Sequence, residues 1–161
     1  MGNTGGTVTT RYAGDLPRLM RATGFAGVDG YTEHLAGGWQ VADFADAGRL
    51  SFGDLVRRTG APAVMVSFLD SDVGFAEALT PDGISWEGLL NRRMAKSYEI
   101  PLEHFPIEPA VAGSLAWATA VGLAPDEEAI RRTLTGTALF AEELCSALLV
   151  ALGLPGAPSI R

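Results

Sequence analysis

The sequence predicts an α+β fold: a mostly antiparallel sheet of about four or five strands packed on helices, with a C-terminal helical layer. Two runs of residues, 63–69 and 73–79, alternate apolar side chains with the period of a strand. The last third of the chain instead carries apolar residues at helical spacing, with acids and prolines where helices begin. Apolar residues make up 47% of the 161 residues, which is enough for a core and argues against disorder.

Short strands and helices are expected to alternate in the first 60 residues. Residues 1–6 are polar and glycine-rich and are expected to form a loose end. Asp15 is placed to cap a helix, and Gly60 to close one. Gly37 and Gly38 suit a hairpin turn. The elements expected are, in chain order, a strand at 7–12, a helix at 16–23, a hairpin at 31–44 and a helix at 52–59.

The strand pair 63–69 and 73–79 gives the clearest pattern. If its larger apolar residues share one buried face, an even-numbered loop must join the two strands. That face would carry Val64, Val66, Phe68, Val73, Phe75 and Leu79. The opposite face would then carry the small residues Gly74, Ala76 and Ala78, against which a helix can pack closely.

The second half of the chain is expected to be mainly helical. Ser85 is placed to cap a helix over residues 86–97, and the proline-containing loop 98–109 then marks a seam. Further helices are expected at 110–121, 125–134 and 138–152. We expect one domain, with a sheet region at 7–97 and a helical region at 98–154 packed on it. Helix 138–152 is too apolar for a single buried stripe, so it is expected to be buried on more than one side, within its own chain or against a second copy.

Charge is distributed unevenly along the chain. The first 60 residues carry six acids and six bases, so the formal net charge of -7 comes entirely from the rest. No Lys or Arg occurs between Arg58 and Arg92, or between Lys96 and Arg131, whereas these stretches hold five and six acids. Such a surface repels nucleic acid and anionic membranes and favours a basic partner.

No motif for catalysis, metal binding or cofactor binding is present. Asp70 and Asp72 offer carboxylates to a cation, but their spacing does not match a calcium loop and suits a hairpin tip equally well. His34 and His104 each follow a glutamate without the spacing of a zinc site. Cys145 lies in an apolar helical run, which is typical of a buried structural cysteine. The sequence therefore predicts no catalytic residue, no metal and no cofactor.

Several segments resemble small acidic actinobacterial proteins of the toxin-immunity and conflict-system kind. The residues that carry this resemblance are Gly38-Trp39-Gln40-Val41, the strand pair 63–68 and 75–78, Pro81-Asp82-Gly83 and the closing helical region. The resemblance implies a protein that binds a protein partner and lacks catalytic residues. It transfers no site residue to this chain.

The leading interpretation is a non-enzymatic cytoplasmic binding protein, of immunity or antitoxin type, whose acidic surface meets a basic protein. A cytoplasmic location is expected because the chain has one cysteine and no visible secretory signal or bilayer-spanning stretch. The expected contact residues are Asp70, Asp72 and Asp82, since turns stay exposed at strand ends. Two alternatives stay open: a small hydrolase or ligand-binding enzyme using Asp70, Asp72 and a histidine, and a homo-oligomeric structural protein built through helix 138–152.

Overall fold

The computed structural model describes residues 2–156. Within them the strands are β1 (Gly6–Thr10), β2 (Phe25–Ala26), β3 (Glu33–His34), β4 (Gln40–Phe44), β5 (Asp46–Ala47), β6 (Ala63–Leu69), β7 (Val73–Leu79) and β8 (Ser85–Leu90). The α-helices in the same residues are α1 (Leu16–Ala22), α2 (Ser51–Thr59), α3 (Arg92–Ser97), α4 (Ile107–Ala120), α5 (Glu127–Thr135) and α6 (Ala141–Ala151).

The main sheet has six strands in the order β3-β4-β1-β6-β7-β8, and every neighbouring pair is antiparallel. β2 and β5 form a separate two-stranded sheet. The predicted α+β class and the C-terminal helical layer are confirmed, with more strands in the sheet than expected. Asp15 caps α1 by accepting a hydrogen bond from the Arg18 amide, and Gly60 ends α2 in the left-handed conformation, as the sequence indicates.

The predicted face of the β6–β7 hairpin is wrong, although both strand ranges are correct. Leu69 pairs with Val73, so three residues form the loop and Phe68 lies opposite Gly74. With this odd-numbered loop, the large side chains of β6 share a face with the small residues of β7, namely Gly74, Ala76 and Ala78. Those small residues make room for helices on that face.

Residues 85–90 form a strand rather than the first half of the helix predicted over 86–97. Trp86 lies opposite Ala78, and Leu90 lies opposite Gly74, so both face the helical layer. Gly88 lies between them, and a Cβ atom there would come within 3.2 Å of the Leu134 side chain. Burial against neighbours therefore outweighs the helical propensity of this segment, and only Arg92–Ser97 is helical.

The sheet has a core on each face. On the face that carries Val66 and Ala76, helices α4, α5 and α6 bury a large cluster that includes Trp117 and Leu148. On the opposite face, α1 and α2 pack on the strands that carry Val8 and Met65. A smaller cluster around Val73, Leu89 and Ala95 lies beneath α3 and the chain that follows it.

The segment 1–6 is expected to be loose, but Gly2 and Asn3 are hydrogen-bonded to the β6–β7 hairpin, and Met1 lies outside the described residues. The amide of Gly2 donates to Asp70 Oδ1 at 2.8 Å, and the amide of Asn3 donates to Ser71 Oγ at 2.7 Å. The amide of Ser71 donates in return to the Asn3 carbonyl at 2.8 Å. These bonds place the start of the described chain beside the hairpin tip.

Candidate functional site

A cleft of about 840 Å³ lies between α2 and the outer strands β7 and β8. Its helical wall includes Arg49, Leu50, Gly53, Asp54 and Arg57, and its sheet wall includes Glu77, Leu79, Ser85 and Glu87. α2 presents a polar wall because it buries Phe52, Leu55 and Val56 against the sheet. Residues 50, 53, 54 and 57, which are spaced three or four apart, consequently share the side toward the cleft.

Two glutamates lie side by side on the sheet wall. Glu77 of β7 is directly opposite Glu87 of β8 in the antiparallel register, and residues paired in this way are close enough for their side chains to interact. Neither carboxylate has a hydrogen bond or an ion pair to another residue within 2–156. Like charges opposite one another destabilise a sheet, so the pair opposes folding and calls for an explanation.

The charges of the cleft are separated between its two walls. Burial and the neighbouring Glu87 raise the pKa of Glu77 above its usual range. On the helical wall Arg57 forms an ion pair with Asp54 at 2.9 Å. No ion pair in the described chain joins Arg49 or Arg57 to the glutamates. The carboxylate pair is therefore open to a cationic group entering the cleft.

Two adjacent carboxylates have the chemistry to bind an organic cation. Among residues 2–156, no group of three or more His, Cys, Asp or Glu side chains is placed to hold a metal. A guanidinium or an ammonium needs fewer ligands, and two carboxylates on one side can bind it by charge-assisted hydrogen bonds.

Among residues 2–156, no helix has the length and apolar character needed to cross a bilayer.

Asp70 and Asp72, two of the predicted contact residues, lie together at the tip of the β6–β7 hairpin. Each already accepts an internal hydrogen bond: Asp70 from the Gly2 amide at 2.8 Å, and Asp72 from the Tyr98 hydroxyl at 2.6 Å. The bond to Asp72 is the main reason that the pKa of Tyr98 is raised to about 12. Both aspartates thus help to hold the hairpin tip in place.

Asp82 lies far from the other two aspartates. It sits in the turn between β7 and β8, at the opposite end of β7, and accepts a hydrogen bond from the Thr80 hydroxyl. Because β7 spans seven residues, the two turns are separated by roughly 20 Å. The three predicted contact residues consequently do not form one patch.

Within residues 2–156, neither histidine is hydrogen-bonded to Asp70 or Asp72. His34 pairs with Gln40, which aligns through β1 with the Ala63 end of β6, whereas Asp70 follows the other end. The exposed His104 lies in a 3-10 helix (Leu102–His104), and no hydrogen bond within 2–156 links it to Asp70 or Asp72. No hydrogen-bonded pair of a histidine and either aspartate is therefore present among the described residues, and the enzyme alternative stays a prediction.

Cys145 is buried in α6, as expected. Burial is the main cause that raises the pKa of its thiol, and Glu142 and Asp43 add to the effect. A thiol with a raised pKa is a poor nucleophile, so this cysteine has a structural role.

Sequence reasoning missed the glutamate pair because it assigned β8 to a helix. In a helix over residues 86–97, Glu87 lies in the first turn, where no strand pairing brings it opposite Glu77. The signal available was Glu77 itself, a carboxylate inside the apolar strand Phe75-Ala76-Glu77-Ala78-Leu79.

No protein-family model matches the chain, and neither a curated protein nor a solved structure shows significant similarity to it.

Proposed function

We propose that this protein is a non-enzymatic binding domain that receives a basic side chain of a protein partner in the cleft between α2 and β7–β8. The observation that carries the proposal is the Glu77–Glu87 pair, two carboxylates that lie opposite each other and form no ion pair with a base of the described chain, including Arg49 and Arg57 of the same cleft. An arginine or lysine side chain that enters the cleft neutralises their repulsion. The free energy by which this repulsion destabilises the free protein is thereby recovered on binding.

The overall charge of the chain supports a basic partner. The formal net charge of -7 attracts such a protein over a distance and speeds the encounter. The resemblance to small acidic proteins of toxin-immunity systems points in the same direction and suggests a toxin as the partner and the cytoplasm as the location. In this proposal the cleft supplies the specific contact and the rest of the acidic surface supplies steering.

Titration of the isotope-labelled protein with N-acetyl-arginine amide, followed by NMR, tests the cleft. The neutral isostere N-acetyl-citrulline amide is the matched ligand. We expect weak binding of the arginine compound, on the order of millimolar, with shifts at the amides of β7, β8 and α2. Glu77→Gln and Glu87→Gln should abolish these shifts, whereas Glu103→Gln, an exposed glutamate elsewhere, should not. Equal binding of citrulline, or shifts outside the cleft, would contradict the proposal.

The raised pKa of Glu77 beside Glu87 favours a second candidate, an acid–base hydrolase acting at the same cleft. A carboxyl group that holds its proton can serve as an acid while its neighbour serves as a base or nucleophile. In this version of the enzyme hypothesis, Glu77 and Glu87 take the catalytic roles that the sequence suggests for Asp70, Asp72 and a histidine. Turnover of chromogenic esters or glycosides that is lost in Glu77→Gln and kept in Glu103→Gln would favour the hydrolase over the binding domain.

A further inference from the structure

Two large apolar side chains are exposed immediately before α6. Leu139 is 77% exposed and Phe140 is 50% exposed. Phe140 also occupies the N-cap position of α6, where Ser, Thr, Asp or Asn normally accepts a hydrogen bond from the first turn. A phenylalanine side chain cannot act as this acceptor, so the position breaks a local rule of helix stability without gaining burial. Such a position is a candidate for function.

The chain around these residues is held firmly. The amide of Ala141 donates to the Ser71 carbonyl at 2.7 Å. The side-chain amide of Asn91 donates to the carbonyls of both Ala138, at 3.1 Å, and Asp72, at 2.7 Å. Glu143 Oε2 accepts from the Phe140 amide at 3.1 Å. Leu139 and Phe140 are thus presented on an anchored backbone, and a partner that binds them loses little entropy in ordering them.

Acidic groups and a second aromatic ring adjoin the same segment. Tyr98 is 39% exposed and is held by its hydrogen bond to Asp72. Asp70, two residues before Asp72, is also exposed. We call the surface formed by Asp70, Asp72, Tyr98, Leu139 and Phe140 the tip surface. Its apolar part contains one aromatic residue, Phe140, of the kind that dominates binding energy at protein interfaces. Asp70 and Asp72 add carboxylates to the same surface.

We propose that the tip surface docks a protein segment in which apolar residues are flanked by lysine or arginine. The apolar residues cover Leu139 and Phe140, and the bases face Asp70, Asp72 and Glu143, which complement them in charge. A second copy of this chain would bring the same acids against each other and is disfavoured for that reason. The proposal uses no residue of the cleft and does not rest on the proposed function.

Fluorescence and NMR titrations with a designed peptide test the tip surface. The probe is an unstructured peptide with a Trp-Leu pair flanked on both sides by lysines. One matched peptide has glutamate in place of lysine, and another has alanine in place of the Trp-Leu pair. We expect the first peptide alone to bind, with shifts at residues 70–72, 98 and 138–141. Failure of this peptide to bind, or shifts centred on the cleft, would overturn the proposal.

Variants separate docking from folding. Leu139→Ser with Phe140→Ser should weaken the peptide at least about tenfold, whereas Val150→Ser, an exposed apolar residue later in α6, should leave its affinity unchanged. Phe140→Ser should also raise the denaturation midpoint, because a serine followed by Glu143 completes a capping box. An equal loss of peptide affinity in the double variant and in Val150→Ser would overturn the proposal. So would a dimer of the unliganded protein, detected by light scattering, that Phe140→Ser disrupts. Because Glu77→Gln leaves the tip surface intact, failure here is distinguishable from failure of the cleft proposal.

Discussion

Glu77 is the residue that most clearly departs from what a purely structural sheet requires. Burial and Glu87 raise its pKa in the folded protein, so between the unfolded and the folded pKa the folded state binds more protons than the unfolded chain. Stability is therefore expected to fall as pH rises from the ordinary glutamate pKa through the raised one. At low pH the protonated group imposes no penalty.

Glu77→Gln should accordingly stabilise the protein at neutral pH, by about 0.5 kcal/mol, the size of a cross-strand charge effect. Near pH 4, roughly the pKa of an unfolded glutamate, the difference should shrink. Denaturant unfolding at both pH values measures it, with Glu103→Gln as the exposed control. A variant that is destabilised at neutral pH would mean that Glu77 stabilises the fold through a favourable contact.

At the scale of single elements, sequence patterns locate β6 and β7 correctly but predict neither their register nor the strand β8. The limits of β6 and β7 follow directly from their alternating apolar residues. The predicted face is wrong because Asp70, Ser71 and Asp72 form the whole loop. Its backbone is left-handed at Asp70, which Asp tolerates, and at Ser71, where the residue type gives no such signal. β8 was mistaken because Glu87, Leu89 and Leu90 suit a helix in isolation. Its strand state depends on pairing with the neighbouring strand β7 and on packing against Leu134, which lies far along the chain.

The two phenylalanines of this hairpin offer a test of the corrected register. Phe68 is 3% exposed beneath the helical layer, whereas Phe75 lies on the other face, half-buried, with its ring 6.0 Å from that of Phe105. Phe68→Ala should cost about 3–5 kcal/mol, typical of a buried phenylalanine. Phe75→Ala should cost clearly less, about 1–2 kcal/mol, because the half-buried Phe75 side chain removes less apolar surface from water. Denaturant melts compare them, and equal losses would mean that the faces are equally buried.

α6 illustrates a prediction that the structure makes specific. The expected burial on more than one side occurs within its own chain, where α6 contacts α5 and the sheet. Leu148 has no exposed surface in this monomer. Leu148→Asp should therefore unfold the protein rather than split an oligomer, since a buried unpaired charge costs several kcal/mol. Circular dichroism with light scattering decides, and a folded variant of lower mass would instead indicate an interface between copies.

At the scale of the whole molecule, the negative net charge predicts that nucleic acids do not bind. The described fold places the base-poor stretch 59–91 on β6, β7 and β8, which lie together at one side of the sheet. Phosphate groups are repelled from such a region. We expect no binding to duplex DNA or to RNA at physiological salt in a gel-shift assay. Micromolar, salt-sensitive retention would show that a local basic surface outweighs the net charge.

The separation of Asp70 from Asp82 allows net charge to be distinguished from local contact. Asp70→Lys and Asp82→Lys change the molecule's charge equally, and each removes one acceptor of an internal hydrogen bond. The two turns are roughly 20 Å apart, and the screening length is about 8 Å at physiological salt. Each charge therefore acts at close range under these conditions.

Stopped-flow association of the lysine-flanked peptide should then respond differently to the two changes. At physiological salt Asp70→Lys should slow association several-fold, because residue 70 lies on the tip surface, to which the peptide binds. Asp82→Lys should leave the rate nearly unchanged. At about 0.01 M salt the screening length grows to roughly 30 Å, which spans both turns, so both variants should slow association. If the two variants behave alike at physiological salt as well, the aspartates contribute only to net charge, and the hairpin tip is not where a basic partner binds.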